Sequence, residues 1–373
     1  MSGLANAKRI VVKIGSSLLT DPLTGTARAP RFVLIAEQIA KFRRAGCEVA
    51  LVSSGAVSLG RRALGLPAGV LSLEQKQAAA AAGQLRLVET WREAFDPHAV
   101  VLAQALVTWE DTESRRRWLN ARGTLNALLA CGALPVINEN DTVATEELRF
   151  GDNDRLAARV AAMLDADTLV LLSDVAGLCT ADPSRDVSAQ LIERIEAITP
   201  EIEALAGGTG AAGTGSGGMR SKIEAARIAS QAGCRTVIAA GDVEAPLTRL
   251  MKPGGASWFD ARVERPKARA AFIQGALSPQ GALVLDEGAA KAVAQGRNLL
   301  PAGVTAVRGG FQRGDAVRLI APDGTLIGKG LVAYDAQDAS RILGAKSGEI
   351  EARLGYRRGA ALVHAGDMVL EGR

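Results

Sequence analysis

Apolar strands alternate with amphipathic helices through the first two-thirds of the chain, which predicts an α/β protein built as a three-layer sandwich around a mostly parallel sheet. Five times an apolar run ends in Gly, Ser, Asn or Asp, at the carboxyl end of a strand, where an open parallel sheet places its ligands. From about Gly281 the texture changes to short strands broken by glycine turns, which predicts a second, small β-barrel-like domain. The expected organisation is a first domain over 1–262, a linker over 263–280 that carries charges and Pro266, and a second domain over 281–373.

Composition narrows the function. The 373 residues are 48% hydrophobic and 23% charged, with a net charge of +4 and both signs interspersed, so no nucleic-acid field is built in. Cys47, Cys131, Cys179 and Cys234 are widely spaced with no C-x-x-C, which argues against a disulfide framework or metal cluster and for a reduced, cytoplasmic chain. His98 and His364 are the only histidines, and neither adjoins a polar cluster, so a histidine triad or zinc site is set aside. No signal peptide is visible, and no apolar run approaches the roughly 20 residues of a membrane span.

The first strand is expected in the β-branched run of Lys8-Arg9-Ile10-Val11-Val12-Lys13-Ile14, carrying Lys13 near its end and breaking at Gly15-Ser16-Ser17. Backbone N–H groups of such a turn are able to face an anion. Pro30 to Gly46 has helical spacing, and Glu48 to Val52 is a second strand running into Ser53-Ser54-Gly55-Ala56. Leu73 to Phe95 is an alanine-rich helix whose Gln75, Lys76 and Gln77 read as a solvated face rather than a pocket wall. A third strand is expected at Ala99 to Ala103, then a helix over Glu113 to Ala130 whose Arg115-Arg116-Arg117 reads as wet surface.

Ala133 to Ile137 is the next strand, followed by Asn138-Glu139-Asn140-Asp141-Thr142, side chains suited to an ammonium group or a metal as well as to a turn. Gly151-Asp152-Asn153-Asp154 opens the next helix with more polar residues than a cap requires. Thr168 to Leu172 ends in Ser173-Asp174. The glycine-dense stretch 207–218 runs into Met219-Arg220-Ser221-Lys222 at a helix start, which fits a mobile lid. Its two G-x-G-x-x-G matches do not follow a strand directly, so the dinucleotide reading fails its context. In the second domain, strands are expected at Ala282 to Leu285, Gly303 to Val307, Ala316 to Ile320, Thr325 to Val332 and Ala360 to Val363.

Lys13 and Lys222 lie 209 positions apart, yet both occupy strand-end or helix-start positions amid glycine-rich backbone. Positive charge and backbone donors around a transferring group are what phosphoryl transfer requires. A carboxylate such as Asp154 is placed to hold two ammonium groups. No general base is evident, which favours an acceptor that is already ionised, such as a carboxylate, over an alcohol.

Taken in order, Lys13-Ile14-Gly15-Ser16-Ser17, Ser53-Ser54-Gly55-Ala56, Asn138-Glu139-Asn140-Asp141, Gly151-Asp152-Asn153-Asp154, Ser173-Asp174 and Ser216-Gly217-Gly218-Met219-Arg220-Ser221-Lys222 resemble the motif series of the glutamate 5-kinases, a branch of the amino acid kinase family. The resemblance covers nearly the whole chain and includes a C-terminal PUA domain from near Gly281. Where that branch often has Thr-Gly-Gly-Met, this chain has Ser216-Gly217-Gly218-Met219, and Arg220 adds a cation.

The resemblance implies the amino acid kinase fold and transfer of a phosphoryl group from ATP, with Mg²⁺, to the γ-carboxylate of L-glutamate, the first step of proline synthesis. It implies that Lys13, Lys222 and Asp154 serve catalysis, and that Ser54, Asp141, Asn153 and Asn138 hold glutamate. Lys13, Ser173, Asp174 and the segment Ser216, Gly217, Gly218, Met219, Arg220, Ser221 and Lys222 would contact the nucleotide, with no metal ligand supplied by the protein. Feedback inhibition by proline, a homo-oligomer (dimer or tetramer) and hand-over to the next enzyme of proline synthesis are also implied.

The alternatives are another member of the same family, such as an N-acetylglutamate kinase or an aspartokinase-like enzyme, and an RNA-binding protein acting through the PUA domain. Residues 281–373 carry 12 Lys/Arg against 10 Asp/Glu, too balanced for a strong RNA footprint.

Overall fold

The computed structural model describes residues 3–144, 153–206, 218–252, 254–262, 279–357 and 359–371. The expected Gly151-Asp152 start, the glycine-dense stretch up to Gly217 and nearly all of the expected linker lie outside the described residues. The chain divides into two compact units, 1–265 and 266–373.

In the first unit the order is β1 (Arg9–Ile14), α1 (Ser16–Leu19), α2 (Ala29–Arg44), β2 (Glu48–Ser53), α3 (Ala56–Ala63), α4 (Leu73–Phe95), β3 (Leu102–Val107), α5 (Trp109–Glu113), α6 (Arg115–Ala130), β4 (Leu134–Glu139), α7 (Asn153–Met163), β5 (Thr168–Ser173), β6 (Arg194–Ile195), α8 (Pro200–Leu205), α9 (Met219–Gln231), β7 (Arg235–Ala240), α10 (Pro246–Arg249) and β8 (Ser257–Phe259). The eight strands form one sheet in the order β3-β4-β2-β1-β5-β7-β8-β6, and all neighbours are parallel except β7 and β8. Strand β1 is central: the chain winds outward through β2, β4 and β3 on one side, and through β5 and β7 on the other. The crevice beside such a reversal, beyond the strands' carboxyl ends, is where open α/β sheets bind ligands.

Alternation along β1 separates two cores. Ile10, Val12 and Ile14 pack with Leu51, Val170, Phe32 and Trp91 under α2 and α4. Val11 packs with Val52, Leu171, Leu156 and Ile223 under α6, α7 and α9. Each layer removes a continuous apolar face from water, the dominant favourable contribution to folding.

Several boundaries depart from the sequence expectations for reasons of pairing. The expected strand Ala99 to Ala103 lies instead at Leu102–Val107, because Ala99 has a φ of 53° and pairing with β4 begins only at Leu102. Strand β4 runs on to Glu139, so Asn138 is a strand residue opposite Leu106 rather than the start of a loop. The helix expected over Glu113 to Ala130 is α6, which starts two residues later, because Ser114 turns extended (ψ 115°) and parts it from the short α5. The two short strands β6 and β8 had no clear sequence signal.

Helix α4 starts at a capping box: Ser72 Oγ accepts from the Gln75 N–H while Gln75 Oε1 accepts from the Ser72 N–H. Its crossing with α3 is unusually close. A Cβ on Gly60 would stand 1.7 Å from the Ala79 carbonyl oxygen, and a Cβ on Gly83 would stand 1.7 Å from that of Ala56.

The second unit holds β9 (Gly281–Leu285), α11 (Glu287–Ala294), β10 (Val304–Gly309), β11 (Ala316–Ile320), β12 (Leu326–Val332), α12 (Ala336–Arg341), α13 (Ile350–Leu354) and β13 (Val363–Leu370). Its five-stranded sheet, ordered β10-β9-β11-β12-β13, has a core of its own around Leu283, Phe311, Leu319 and Tyr334. The last strand begins where the expected one, Ala360 to Val363, was to end. It pairs with β12 at Val332 and again over Gly328 to Gly330, and that partner sets its extent.

The α3–α4 crossing leaves no room for a methyl group against backbone. Gly60→Ala and Gly83→Ala are each expected to destabilise the first unit by more than about 2 kcal/mol, read as a lowered midpoint in urea unfolding. Gly46→Ala, whose Cβ would meet nothing within 4 Å, should cost less despite its φ of 86°.

Candidate active site

Helices that connect parallel strands run antiparallel to them, so the N-termini of α7 and α9 face the carboxyl edge of the sheet beside β1. Lys13 follows Val11 on the face of β1 that looks toward these helices. In α7 the buried stripe is Asp154, Ala157, Ala158 and Ala161, and in α9 it is Lys222, Ala225, Ala226 and Ala229. Helical periodicity therefore places one charged side chain at the head of each stripe, and the alanines behind it let the two helices pack closely on the sheet.

Three charges meet there. Lys13 Nζ lies 2.5 Å from Asp154 Oδ1, and Lys222 Nζ lies 3.1 Å from Asp154 Oδ2. Ser221 Oγ also donates to Asp154 Oδ2, at 3.2 Å. Asp154 is 0% exposed, Lys222 4% and Lys13 6%, so both lysines are enclosed. Among the described residues two cations share this one anion, at low dielectric and next to two helix N-termini. The surroundings favour an anion.

Burial by itself would push the Asp154 carboxyl up. The ammonium groups of Lys13 and then Lys222, by charge and by hydrogen bonding, more than offset this and hold it below the usual carboxylate range.

A second group links to the first through α7. Asn153, next to Asp154, donates from Nδ2 to Ser54 Oγ (2.9 Å) and to Asn138 Oδ1 (2.8 Å). Asn138 Nδ2 in turn donates to Gln84 Oε1 at 2.8 Å. The structure thus unites Ser54, Asn153 and Asn138 in one chain of hydrogen bonds across the sheet edge. Asp141 follows on the half-buried turn after β4.

On the other side of β1, Ser173 ends β5 and its Oγ donates to the exposed Asp174 Oδ1 at 2.9 Å. The Gly241 N–H donates to the Ser173 carbonyl at 2.7 Å, and Arg31 Nη1 donates to the Val243 carbonyl at 2.7 Å, holding the segment after β7 beside it. Gly218 precedes α9, Met219 packs partly against the core and Arg220 is exposed. Ser216 and Gly217 lie outside the described residues.

Sequence reasoning missed Gln84 and Trp91. Trp91 Nε1 donates to Ser53 Oγ at 2.9 Å, and Gln77, taken as solvated, donates from Nε2 to the Ala144 carbonyl at 3.1 Å. The available signal was their spacing of seven residues along one alanine-rich helix. Among the described residues no group of three or more His, Cys, Asp or Glu side chains is arranged to hold a metal ion. Nor is any described helix long and apolar enough to cross a membrane.

Comparison with known proteins identifies the domains. Residues 8–240 match the amino acid kinase family and residues 281–354 match the PUA domain. A glutamate 5-kinase of Paramagnetospirillum magneticum is 55% identical over 372 residues, covering 100% of both chains. One from Rhizobium etli is 52% identical over 98% of this chain and 94% of its own. Among solved structures, carbamate kinase from Giardia lamblia bound to AMP-PNP is 20% identical with a TM-score of 0.49, over 69% of this chain and 99% of that one.

The lowered Asp154 carboxyl links the site to stability. A group whose folded pKa is depressed stabilises the fold above its unfolded value, about 3.9, and loses that contribution as pH falls through the folded value. Urea midpoints should therefore decline below about pH 4. Asp154→Asn should lack that part of the decline and be destabilised at pH 7 by about 3–5 kcal/mol, since two buried ammonium groups would lose their counter-charge.

Proposed function

The chain belongs to the amino acid kinase family, among its glutamate 5-kinases, and from that premise we propose how its residues transfer a phosphoryl group from ATP to the γ-carboxylate of L-glutamate. The product is L-glutamyl 5-phosphate, the entry to proline synthesis. The observation that carries the reading is the single carboxylate of Asp154 gripped by both Lys13 and Lys222.

The acceptor carboxylate, with a reference pKa near 4.3, is ionised at pH 7 and needs no general base. Its obstacle is the negative charge of the triphosphate it approaches. Lys13 and Lys222 offset that charge, and Asp154 holds both ammonium groups in place before either substrate arrives, so little reorganisation is left for the transition state. The N-termini of α7 and α9 add N–H donors at the same point.

Ser54, Asn153 and Asn138 bind the amino-acid portion of glutamate, with Asp141 beside its α-ammonium. The fit favours a free amine, since an acetylated nitrogen would leave nothing for Asp141 to neutralise. Ser173, Asp174 and the segment 216–222 contact the nucleotide, and exposed Arg220 adds a cation there. Mg²⁺ would accompany the nucleotide phosphates and supply partial neutralisation of their charge, retaining several waters. Asp174 would favour the ion indirectly, from beside the nucleotide.

The catalytic domain is taken as 1–262 and the PUA domain as 281–373. A cytoplasmic homo-oligomer, dimer or tetramer, inhibited by proline and passing its product to the next enzyme of proline synthesis completes the reading.

An ADP-release assay with ATP and a panel of glutamate, N-acetylglutamate and aspartate should show turnover with glutamate, and a preference for N-acetylglutamate would overturn the assignment. Lys222→Met should cut kcat by roughly 10²–10³-fold or more. It should leave the melting temperature close to that of the unaltered protein, because Lys13 and Asp154 remain as a balanced pair. Near-normal turnover of that variant would remove Lys222 from the mechanism.

A further inference from the structure

Helix α4 carries three polar side chains seven residues apart, Gln77, Gln84 and Trp91. At 3.6 residues per turn they share one face. Each holds a different part of the acceptor side of the cleft. Trp91 takes Ser53, the neighbour of Ser54; Gln84 takes Asn138; and Gln77 takes the Ala144 carbonyl, three residues past Asp141. The helix cannot slide, because Gly83, adjacent to Gln84, sits against the Ala56 carbonyl with no space for a methyl group.

Gln84 is 9% exposed, and its two amide atoms differ in what they meet. Oε1 accepts from Asn138, whereas Nε2 is buried with no acceptor among the described residues. A buried donor left without a partner costs about 1–3 kcal/mol, which an apolar side chain of similar shape would avoid. An amide retained at that cost points to a use other than stability.

Hydrogen-bond direction supplies the use. With Gln84 Oε1 taking Asn138 Nδ2, Asn138 must turn Oδ1 toward Asn153. Asn153 Nδ2 then directs its two protons chiefly to Asn138 Oδ1 and Ser54 Oγ, with a longer contact of 3.4 Å to the Ser53 carbonyl. Ser54 Oγ is an acceptor in that bond, so its own proton is left to donate, and Asn153 Oδ1 is left to accept. A hydroxyl donor beside an amide acceptor matches the carboxylate and ammonium groups of an unmodified α-amino acid.

We propose that Gln84 is a positioning residue of the acceptor site, setting the polarity of the Asn138–Asn153–Ser54 chain and so the affinity for an acidic amino acid with a free ammonium group. The proposal rests on the glutamate-kinase reading above and names a residue outside the motif series.

Steady-state kinetics with glutamate and ATP on the full chain test it, using Gln84→Met, Asn138→Ala and the double variant. Gln84→Met keeps the shape and removes the acceptor. It should raise KM for glutamate about tenfold, the effect of one net hydrogen bond, with kcat and KM for ATP within about twofold and the melting temperature within about 2 °C. Adding Gln84→Met to Asn138→Ala should change KM for glutamate less than about twofold, because the residue acts through Asn138.

An unchanged KM for glutamate in Gln84→Met, or effects that multiply in the double variant, would overturn the proposal, as would a parallel loss of ATP affinity and melting temperature. If the unaltered protein does not phosphorylate glutamate at all, the functional reading fails instead. The two failures are therefore separable.

Discussion

Two buried ammonium groups share one buried carboxylate at the carboxyl edge of the central strand, and most of the first unit is arranged to permit it. Taking any of these charges out of water singly is costly, and an unpartnered one would be expelled or neutralised. Asp154 makes the burial of Lys13 and Lys222 tolerable. On the function proposed, the two ammonium groups it holds are what meet the substrate anions.

The rest of the fold follows from holding that triad still. Lys13 is fixed by pairing of β1 with β2 and β5 on both sides, so its Cα cannot move without breaking the sheet. Asp154 and Lys222 are fixed by alanine stripes that seat α7 and α9 against the sheet. Because Asn153 and Asp154 are consecutive, the first turn of α7 joins the charged group to the amide chain that reaches Ser54, Asn138 and Gln84. Acceptor and donor sides of the cleft are thus referred to one helix start.

The two layers of the sandwich divide the labour. The α7–α9 layer supplies charge. The α4 layer supplies hydrogen-bonding side chains that hold β2 and β4 at their carboxyl ends, through Trp91 on Ser53 and Gln84 on Asn138. The close α3–α4 crossing at Gly60 and Gly83 keeps that second layer in register. On the function proposed, one layer would offset the charge of two mutually repelling anions and the other would orient the acceptor.

Local chemistry in the chain was enough to reveal the alternating α/β architecture, the change of texture near Gly281 and the lysines, since hydrophobic periodicity and strand-end polar residues are short-range features. The charge-bearing residues Lys13, Asp154 and Lys222 stood out because each interrupts or heads an apolar pattern. Other features had no local signature. Strand β3 shifted to Leu102–Val107 because its partner β4 decides where pairing begins, and β4 itself absorbed Asn138. Gln77, Gln84 and Trp91 looked like ordinary members of an alanine-rich helix until packing brought them against Ala144, Asn138 and Ser53. Periodicity reports which face of an element is apolar; only the folded arrangement decides which distant backbone that face will meet.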